Sequence, residues 1–348
     1  MKGYFTRKPE NGDEVRAAIK EGYRNHIQPV EIEVLGRIKN TWKYVPARGL
    51  YHGAFTPTYA FKEPLRGGRK EPMSLQTYEK LVGKACSMVL WYQGLSPERR
   101  YTELAELRNH DLAENHRGFR FMCVGWLPPE AVKLADIADG VYDEYLARYF
   151  RDSIDPALNL DNDTPLWFRP MNEFNSDWVS WGLDPAAFRR AWRRIFNIAE
   201  EVGATRQHIF VWSPNHLSYP NADWNNMRNY WPGDQYVDWV GLSCYAPSMK
   251  FAGSVDELLP AARAREVNEY YGHYKPMMVT EGGYGADQDR VAFVRQWFEF
   301  EKRLPNFKAM IWENHNARCL QDVPEALEVY RKAVQSPYWI DNNTIQSR

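Results

Sequence analysis

Two glutamates follow apolar runs that have the character of buried strands. Glu173 ends the run PLWFRPMNE, and Glu281 ends the run KPMMVTE. A pair of carboxyl groups can cleave a glycosidic bond when one protonates the leaving oxygen and the other attacks the sugar or activates water. Glu173 alone is equally well explained as a helix-cap partner or an ion-pair member, and Glu281 alone as part of a turn that the two following glycines would form with positive φ. Their shared position at the end of a strand is what favours catalysis.

Aromatic residues are concentrated around the first glutamate. Trp178 and Trp181 follow it closely, and the whole chain contains 14 Trp, 21 Tyr and 16 Phe. Indole and phenol rings stack on flat apolar faces while their N–H or O–H groups remain available to polar partners. Sugar rings offer such faces, so a carbohydrate site is one explanation of this composition. A core that happens to be aromatic is the other explanation, and composition alone does not separate the two.

The elements that would position both acids are indicated by short apolar runs alternating with longer amphipathic ones. Eight runs rich in β-branched and aromatic residues predict strands at 49–55, 87–92, 119–126, 165–172, 208–213, 237–245, 275–282 and 307–314. Helical periodicity is found over 141–154, 184–203, 288–304 and 323–334, and more weakly over 254–272, which Pro260 interrupts. This alternation favours an α/β fold, a (β/α)8 TIM barrel formed by residues 49–348.

An open doubly wound sheet is the rival architecture. Such sheets usually carry a Gly-rich phosphate turn after the first strand, whereas here the first strand leads into AFTPTYAF. Residues 1–48 do not fit the repeat, and we expect them to form an N-terminal extension that packs on the barrel, or a mobile arm. In a barrel the catalytic residues lie at the carboxyl ends of the strands. Strands four and seven would therefore aim Glu173 and Glu281 at a common point.

Several segments resemble glycoside hydrolase family 26, the β-mannanase family of the retaining (β/α)8 clan. The similarity covers residues 49–320 in order and includes DGVYDEYLARYFRD, WFRPMNEFNSDWVSWG, FVWSPN, YWPGDQYVDWVGLSCY and KPMMVTEGG. The resemblance implies a retaining mechanism with Glu173 as the acid/base and Glu281 as the nucleophile. The chain departs from the family at Asn172, because the family has His immediately before the acid/base and the wider clan has Asn.

The resemblance also implies roles for residues that bind the substrate. Arg169 would support the nucleophile and favour its ionised form, and Tyr245 would donate a hydrogen bond to the nucleophile. Asn172 would contact the sugar 2-hydroxyl, and since it replaces His, mannan, glucan, xylan and bacterial polysaccharides all stay open as substrates. Aromatic contacts with sugar are expected from Trp178, after the acid/base, and from Trp312, at the end of strand eight.

Other residues at strand ends are further candidates for the cleft. His216 follows strand five, and Trp126 and Trp91 lie near the ends of strands three and two. Each of them could contact sugar or simply pack at the rim. Glu313 is a reserve carboxylate, although strand alternation is expected to turn it away from the barrel. His52 lies inside strand one and is expected to fill the barrel.

Charge and cysteine content argue against several other classes of protein. The net charge is −1, and no block of five like charges would hold nucleic acid or an anionic membrane. His110, Asp111 and His116 do not have the spacing of a zinc pair on one helical face. We therefore expect no metal and no cofactor. The cysteines are too dispersed for a zinc motif or a disulfide framework, and buried reduced thiols are expected at Cys86, Cys123, Cys244 and Cys319.

The sequence thus predicts a retaining endo-β-glycosidase that acts as a monomer on an oligo- or polysaccharide, a β-mannan or a related β-glycan. A non-hydrolytic carbohydrate-binding relative in polysaccharide assembly or export is the alternative. A metal-dependent hydrolase, the third class, would need a His/Asp cluster at strand ends. No apolar run approaches the ~18 residues that span a bilayer, and the N-terminus lacks the apolar stretch of a signal peptide. A complete chain would be cytoplasmic, and one trimmed of a signal peptide would be secreted.

Overall fold

The structure, a computed structural model, describes residues 44–46, 48–56, 73–95, 121–158, 165–245, 261–285 and 289–341. Strands β1–β9 run over Leu50–Phe55, Met88–Gly94, Phe121–Leu127, Leu166–Pro170, His208–Trp212, Trp239–Tyr245, Met277–Gly283, Phe307–Glu313 and Trp339–Ile340. Helices α1–α7 run over Leu75–Val82, Leu134–Asp139, Asp143–Ile154, Pro185–Glu201, Ala261–Tyr271, Arg290–Arg303 and Pro324–Val334. Most of the predicted 1–48 extension lies outside the described residues, as do His110, Asp111 and His116.

Strands β1–β8 close into a barrel in which all strands are parallel. Each strand pairs with the next one in sequence, and β1 also pairs with β8, with Tyr51 opposite Ala309 and Phe55 opposite Glu313. Strand β9 adds to the start of β1, where Leu50 pairs with Trp339. All eight predicted barrel strands are present within two residues of their predicted bounds. The predicted (β/α)8 barrel is therefore confirmed.

Strand alternation divides the apolar core into two layers. Inward-pointing side chains fill the barrel with a cluster that includes Phe121, Trp167 and Trp239, and the ring of Trp167 lies edge-on to that of Trp239 at 5.7 Å. Tyr44, which precedes β1, contacts Trp167 from below at 6.1 Å. Outward-pointing side chains form a second, larger layer against the helices. Aromatic rings fill the lower part of the barrel, and enzymes with this fold bind their substrates at the carboxyl ends of the strands.

Helix α4 shows how local sequence determines an element that supports the site. The side chain of Asp184 caps the first turn, Pro185 is the first helical residue, and Gly203 follows the helix with a φ of 80°. An N-cap of this kind contributes about 1 kcal/mol, and glycine accepts a left-handed backbone at little cost. The buried face of the helix packs on β5, where the ring of Phe196 contacts that of Phe210 at 4.9 Å.

His52 lies between the barrel and the helices rather than inside the barrel. Its Nε2 is 3.1 Å from the hydroxyl of Tyr330, which in turn accepts a hydrogen bond from Tyr78 at 3.1 Å. The prediction that His52 fills the barrel is wrong because β1 directs Tyr51 and Phe55 inward, and alternate residues of a strand face opposite sides.

The described residues bear on other predictions as well. All four cysteines are buried and free, as expected. No helix in the described part of the chain is long and apolar enough to cross a membrane. Within the same segments, no group of three or more His, Cys, Asp and Glu side chains could hold a metal ion. Because the four thiols are buried and free, they contribute to packing rather than to crosslinks.

Candidate active site

Glu173 stands on a strained turn at the carboxyl end of β4. Met171 and Glu173 both have left-handed backbones, with φ of 54° and 57°, a conformation that costs a non-glycine residue about 1–3 kcal/mol. Two hydrogen bonds to neighbouring strands hold the turn. The N–H of Met171 donates to the carbonyl of Trp126 at 2.9 Å, and that of Glu173 donates to the carbonyl of Ser213 at 2.8 Å. The barrel thus maintains a backbone geometry that the segment alone would not adopt.

Glu281 faces the barrel interior because of an irregularity in β7. Alternation counted from the inward-pointing Met278 would turn Glu281 toward the helices. The pairing of β7 with β6, however, skips Thr280, so that Ser243 lies opposite Glu281. An extra residue of this kind re-aims the side chain that follows it, and such bulges are frequent beside active sites.

Three donors hold the buried carboxylate of Glu281. Its Oε1 accepts hydrogen bonds from Nη2 of Arg169 and from the hydroxyl of Ser243, the latter at 2.8 Å, and its Oε2 accepts from the hydroxyl of Tyr92. Burial by itself raises the pKa of Glu281, but the charge of Arg169 and the three hydrogen bonds outweigh burial and lower the pKa below its usual value. Glu281 is therefore ionised at neutral pH, as a nucleophile must be.

Arg169 is completely buried beneath the two carboxyl groups. Its Nε donates to the hydroxyl of Ser213 at 3.0 Å, and its Nη2 also reaches the hydroxyl of Ser243 at 3.3 Å. These hydroxyls fix the orientation of the guanidinium, and Glu281 compensates its charge. Removing one partner of a buried ion pair leaves the other uncompensated, which typically costs about 3–5 kcal/mol.

Glu173 lies in an environment that opposes ionisation. Burial raises its pKa, repulsion from Glu281 raises it further, and hydrogen bonding and charge from Trp178, Arg169 and Ser243 only partly offset this, so the pKa is about 7. The hydroxyl of Ser243 favours the ionised form of both glutamates, and the charge of Glu281 acts on Glu173. Pairs of acids whose pKa values are pushed apart are suited to separate acid and nucleophile roles.

The indoles near Glu173 divide into one that is available to a ligand and one that is structural. Trp178 is 51% exposed, its Nε1 donates to Oε2 of Glu173 at 2.9 Å, and its ring contacts that of Tyr219 at 5.1 Å. Trp181 is only 7% exposed, and its Nε1 donates to the carbonyl of Asn172 at 2.7 Å. The structure therefore leaves Trp178 free to contact a sugar, whereas Trp181 supports the turn that carries the acid.

Two predicted sugar contacts lie outside the barrel wall. Trp312 and Trp126 are fully buried in the layer between strands and helices, where Trp312 contacts Trp297 at 5.2 Å. Ile311, just before Trp312, and Cys123, three residues before Trp126, point into the barrel. Residues at odd separations along a strand face opposite sides, so both tryptophans point outward. The prediction that Trp312 and Trp126 bind substrate is wrong, because the phase of the alternation and not the strand-end position decides which side chains reach the cleft.

The same alternation brings Glu313 toward the cleft, contrary to expectation. Its Oε2 is 3.1 Å from Nη1 of Arg318, whose guanidinium lies over the ring of Tyr245 at 4.2 Å.

Tyr245 was expected to donate to Glu281, but among the described residues the phenol that does so is Tyr92 of β2. Sequence reasoning missed Tyr92 because it stands inside an apolar strand, where only the phase of the alternation distinguishes it from a core residue.

Asn172 and His216 complete the predicted set. Asn172 is 6% exposed, and its Oδ1 is buried without a hydrogen-bond partner among the described residues. A buried acceptor of this kind is costly unless a ligand satisfies it. His216 is also buried, and its Nδ1 lies 3.1 Å from the carbonyl of Ser243. Contact between Asn172 and a substrate hydroxyl stays a prediction, because Oδ1 is closed off from solvent in this structure, and His216 contacts the backbone of β6.

Asn175 is a residue of the site that sequence analysis missed. Its Nδ2 donates to the carbonyl of Asn215 at 2.9 Å, and its Oδ1 accepts from the N–H of Asn215 at 2.8 Å. Its own carbonyl accepts from the N–H of Tyr219 at 2.8 Å and from Nδ2 of Asn225 at 3.0 Å. The loop after β4, which carries Glu173, is thereby held to the loop after β5.

Comparisons with known sequences show the family to which the chain belongs. The model of the family described as Glycosyl hydrolase family 26 matches residues 129–307. A beta-1,3-xylanase from Vibrio sp is 29% identical over 149 residues, which are 43% of this chain and 28% of the relative. A mannan endo-1,4-beta-mannosidase from Bacillus subtilis (strain 168) is 27% identical over 114 residues, 30% of each chain. The matched segment thus spans less than a third of the length of these relatives.

Solved structures share the fold. A GH26 beta-mannanase from Bacteroides ovatus is 16% identical and aligns over 90% of this chain and 95% of its own, with a TM-score of 0.57. A modular endo-beta-1,4-mannanase from Cellulomonas fimi is 17% identical and aligns over 88% of this chain and 76% of its own, with a TM-score of 0.61. The segment that matches the family model contains both Glu173 and Glu281. The chain belongs to glycosyl hydrolase family 26.

Proposed function

We propose that this protein is a retaining endo-β-glycosidase that hydrolyses a polysaccharide by double displacement. The observation that carries the proposal is the divergence of two pKa values, about 7 for Glu173 and below the usual value for Glu281. A protonated acid and an ionised nucleophile must coexist at one pH, and these shifts provide both forms between mildly acidic and neutral pH.

The proposed reaction has two steps. First, an oxygen of Glu281 attacks the anomeric carbon, the bond from that carbon to the leaving oxygen breaks, and Glu173 gives its proton to the leaving oxygen. Conversion of Glu281 to an ester removes the charge that helps to raise the pKa of Glu173. Glu173 therefore becomes a stronger acid, remains ionised and takes a proton from water. That water attacks the same carbon and releases Glu281 as a carboxylate.

We propose a neutral β-glycan as the substrate, with β-mannan and β-1,3-xylan as the first candidates because of the names of the relatives. Among the described residues, two arginines lie close enough to Glu281 to interact with its charge, and each is paired with a carboxylate: Arg169 with Glu281 itself and Arg318 with Glu313. Neither offers free positive charge to an acidic polysaccharide. Asn172, which stands where the family has His, leaves the preferred sugar open.

The position of Trp178 supports a contact with the leaving group, and we propose endo action because the relatives include a mannan endo-1,4-beta-mannosidase. The indole of Trp178 donates to Glu173, the acid that would protonate the leaving group, and the residue is 51% exposed. A sugar of the leaving group would therefore lie against this ring. Such a contact suits an oligo- or polysaccharide substrate, in which the leaving group is itself a sugar.

The proposal is tested with purified protein on β-1,4-mannan, β-1,3-xylan and β-glucan. We expect one of them to be hydrolysed with retention at the anomeric carbon, seen by proton NMR of the first products. Glu281→Gln and Glu173→Gln should each lower kcat on the polysaccharide by at least about 10³-fold, with unchanged far-UV circular dichroism. Glu299→Gln, on the exposed face of α6, is the matched control.

A covalent label separates this proposal from the non-hydrolytic alternative. A 2-deoxy-2-fluoro glycosyl fluoride of the hydrolysed sugar should attach to Glu281, and peptide mass spectrometry would locate it. Inverted products, or near-normal turnover by either glutamate variant, would contradict the mechanism. Oligosaccharide binding without turnover or labelling would favour a role in binding alone.

A further inference from the structure

We propose that Tyr92 of β2 is the positioning residue that holds the nucleophile Glu281, in the role that the family resemblance assigns to Tyr245. This inference rests on the function proposed above, since it gives Tyr92 a part in both steps of that reaction. The hydroxyl of Tyr92 donates to Oε2 of Glu281. Tyr245 also lies near Glu281, and burial and the charge of Glu281 both raise the pKa of its phenol. Its ring, however, lies against the guanidinium of Arg318, and among the described residues the phenol that donates to the carboxylate is that of Tyr92.

A glycine on the neighbouring strand makes room for the ring of Tyr92. A β-carbon at Gly125 would stand 2.6 Å from Cδ1 and 2.8 Å from Cε1 of Tyr92, which is closer than carbon atoms approach one another. On the other side, the ring of Phe55 contacts Tyr92 edge-on at 5.4 Å. Tyr92 therefore occupies a fitted space between β1 and β3, and its hydroxyl has little freedom to leave Glu281.

The two oxygens of Glu281 are held by unequal sets of donors. Oε1 accepts from both Arg169 and Ser243, whereas Oε2 accepts from Tyr92. Once a carboxylate becomes an ester, only its carbonyl oxygen remains a strong acceptor. The oxygen with two donors is therefore suited to remain the carbonyl, and Oε2 is the oxygen that forms the bond to the sugar.

The hydrogen bond from Tyr92 then differs in strength along the reaction. It is strong while Oε2 belongs to a carboxylate and weak while Oε2 is an ester oxygen. Tyr92 thus favours the ionised nucleophile before attack, and it stabilises the negative charge that returns to Oε2 as the glycosyl-enzyme breaks down. Loss of the hydroxyl should slow breakdown of the glycosyl-enzyme more than its formation, because only breakdown restores the full hydrogen bond.

Tyr92→Phe removes the hydroxyl and keeps the ring. The acid limb of the kcat/KM profile, which reports ionisation of Glu281, should move up by about one to two pH units. On 2,4-dinitrophenyl β-mannobioside or the corresponding β-1,3-xylobioside, we expect a burst of dinitrophenol followed by a steady rate about tenfold or more below that of wild type. Tyr245→Phe, the comparison variant, should shift the acid limb by less than Tyr92→Phe does.

Gly125→Ala provides a second route to the same perturbation. Its added methyl group displaces the ring of Tyr92, so the acid limb should again move up. Combined with Tyr92→Phe it should add little further shift, because both changes act through one hydrogen bond. Thermal unfolding of each variant establishes that it is folded.

Two results would overturn the inference. One is a folded Tyr92→Phe variant whose acid limb and burst match those of wild type, and the other is a larger acid-limb shift in Tyr245→Phe. Failure of the proposed function has a different signature, since wild type would then form no covalent adduct with the fluoro-sugar whatever residue stands at position 92.

Discussion

Replacing Trp178 with phenylalanine should move the basic limb of the pH–rate profile to higher pH. The indole N–H donates to Oε2 of Glu173 at 2.9 Å and so favours the ionised form, against burial and the charge of Glu281, which raise the pKa to about 7. Phenylalanine keeps an aromatic face for the sugar but removes the N–H donor. The pKa of Glu173 should therefore rise, and its acid form should persist to higher pH.

The size of this shift follows from the surroundings of the hydrogen bond. A hydrogen bond to a charged group contributes about 1.5–3 kcal/mol, but Trp178 is 51% exposed, and solvent screening reduces the contribution to about 1 kcal/mol. One pKa unit corresponds to about 1.4 kcal/mol. The basic limb of the variant should therefore lie about 0.5–1 pH unit above that of the wild type.

The assay is kcat/KM as a function of pH on an activated aryl β-glycoside, which reports on free enzyme. Trp224→Phe is the matched control, since Trp224 is an exposed indole on the loop after β5, and its basic limb should match that of wild type. A basic limb of Trp178→Phe that stays in place or falls, in a protein that unfolds at the wild-type temperature, would refute the assignment of the indole as a donor that tunes the acid.

Three further predictions concern the supports of the site. Arg169→Met leaves Glu281 buried without its cation, so kcat/KM should fall by at least about 100-fold and the acid limb of its pH profile should move to higher pH. Arg190→Met, which removes a surface cation, is the control. An equal loss of kcat/KM in both variants would contradict the reasoning. Asn175→Ala removes the hydrogen bonds that hold the loop after β4 to the loop after β5. It should lower Tm by several degrees, measured by calorimetry, and should reduce kcat more than it weakens substrate affinity. An unchanged Tm would argue against this role. For His52, burial lowers the folded-state pKa from 6.5 to about 4. Between these two pH values the unfolded chain binds a proton at His52 that the native state does not bind. Up to about 3 kcal/mol of the free energy of unfolding is therefore lost as the pH falls from 6.5 to about 4. His52→Phe should lose less over the same range in urea titrations, and parallel curves would contradict the burial argument.

The sequence by itself determined the barrel, because the signals for its elements are local. Strand composition and helix caps act within a few residues, so each barrel strand and the start of α4 at Asp184 are found where they were predicted. Helices α1 and α2 were not predicted, since with eight and six residues they are too short to show a helical period. The convergence of the two acids also follows from the sequence, since parallel strands of a closed barrel end at one face.

Only the tertiary structure decided which side chains face the cleft. Neighbouring residues of a strand point to opposite sides, so a shift of one position exchanges Trp312 for Glu313. The extra residue Thr280 turns Glu281 inward, and it is defined by pairing with β6 rather than by local sequence. Among the described residues, the phenol that donates to Glu281 is that of Tyr92, because Gly125 on the neighbouring strand leaves space for its ring. These outcomes depend on contacts between segments distant in the chain, and for that reason no local pattern contains them.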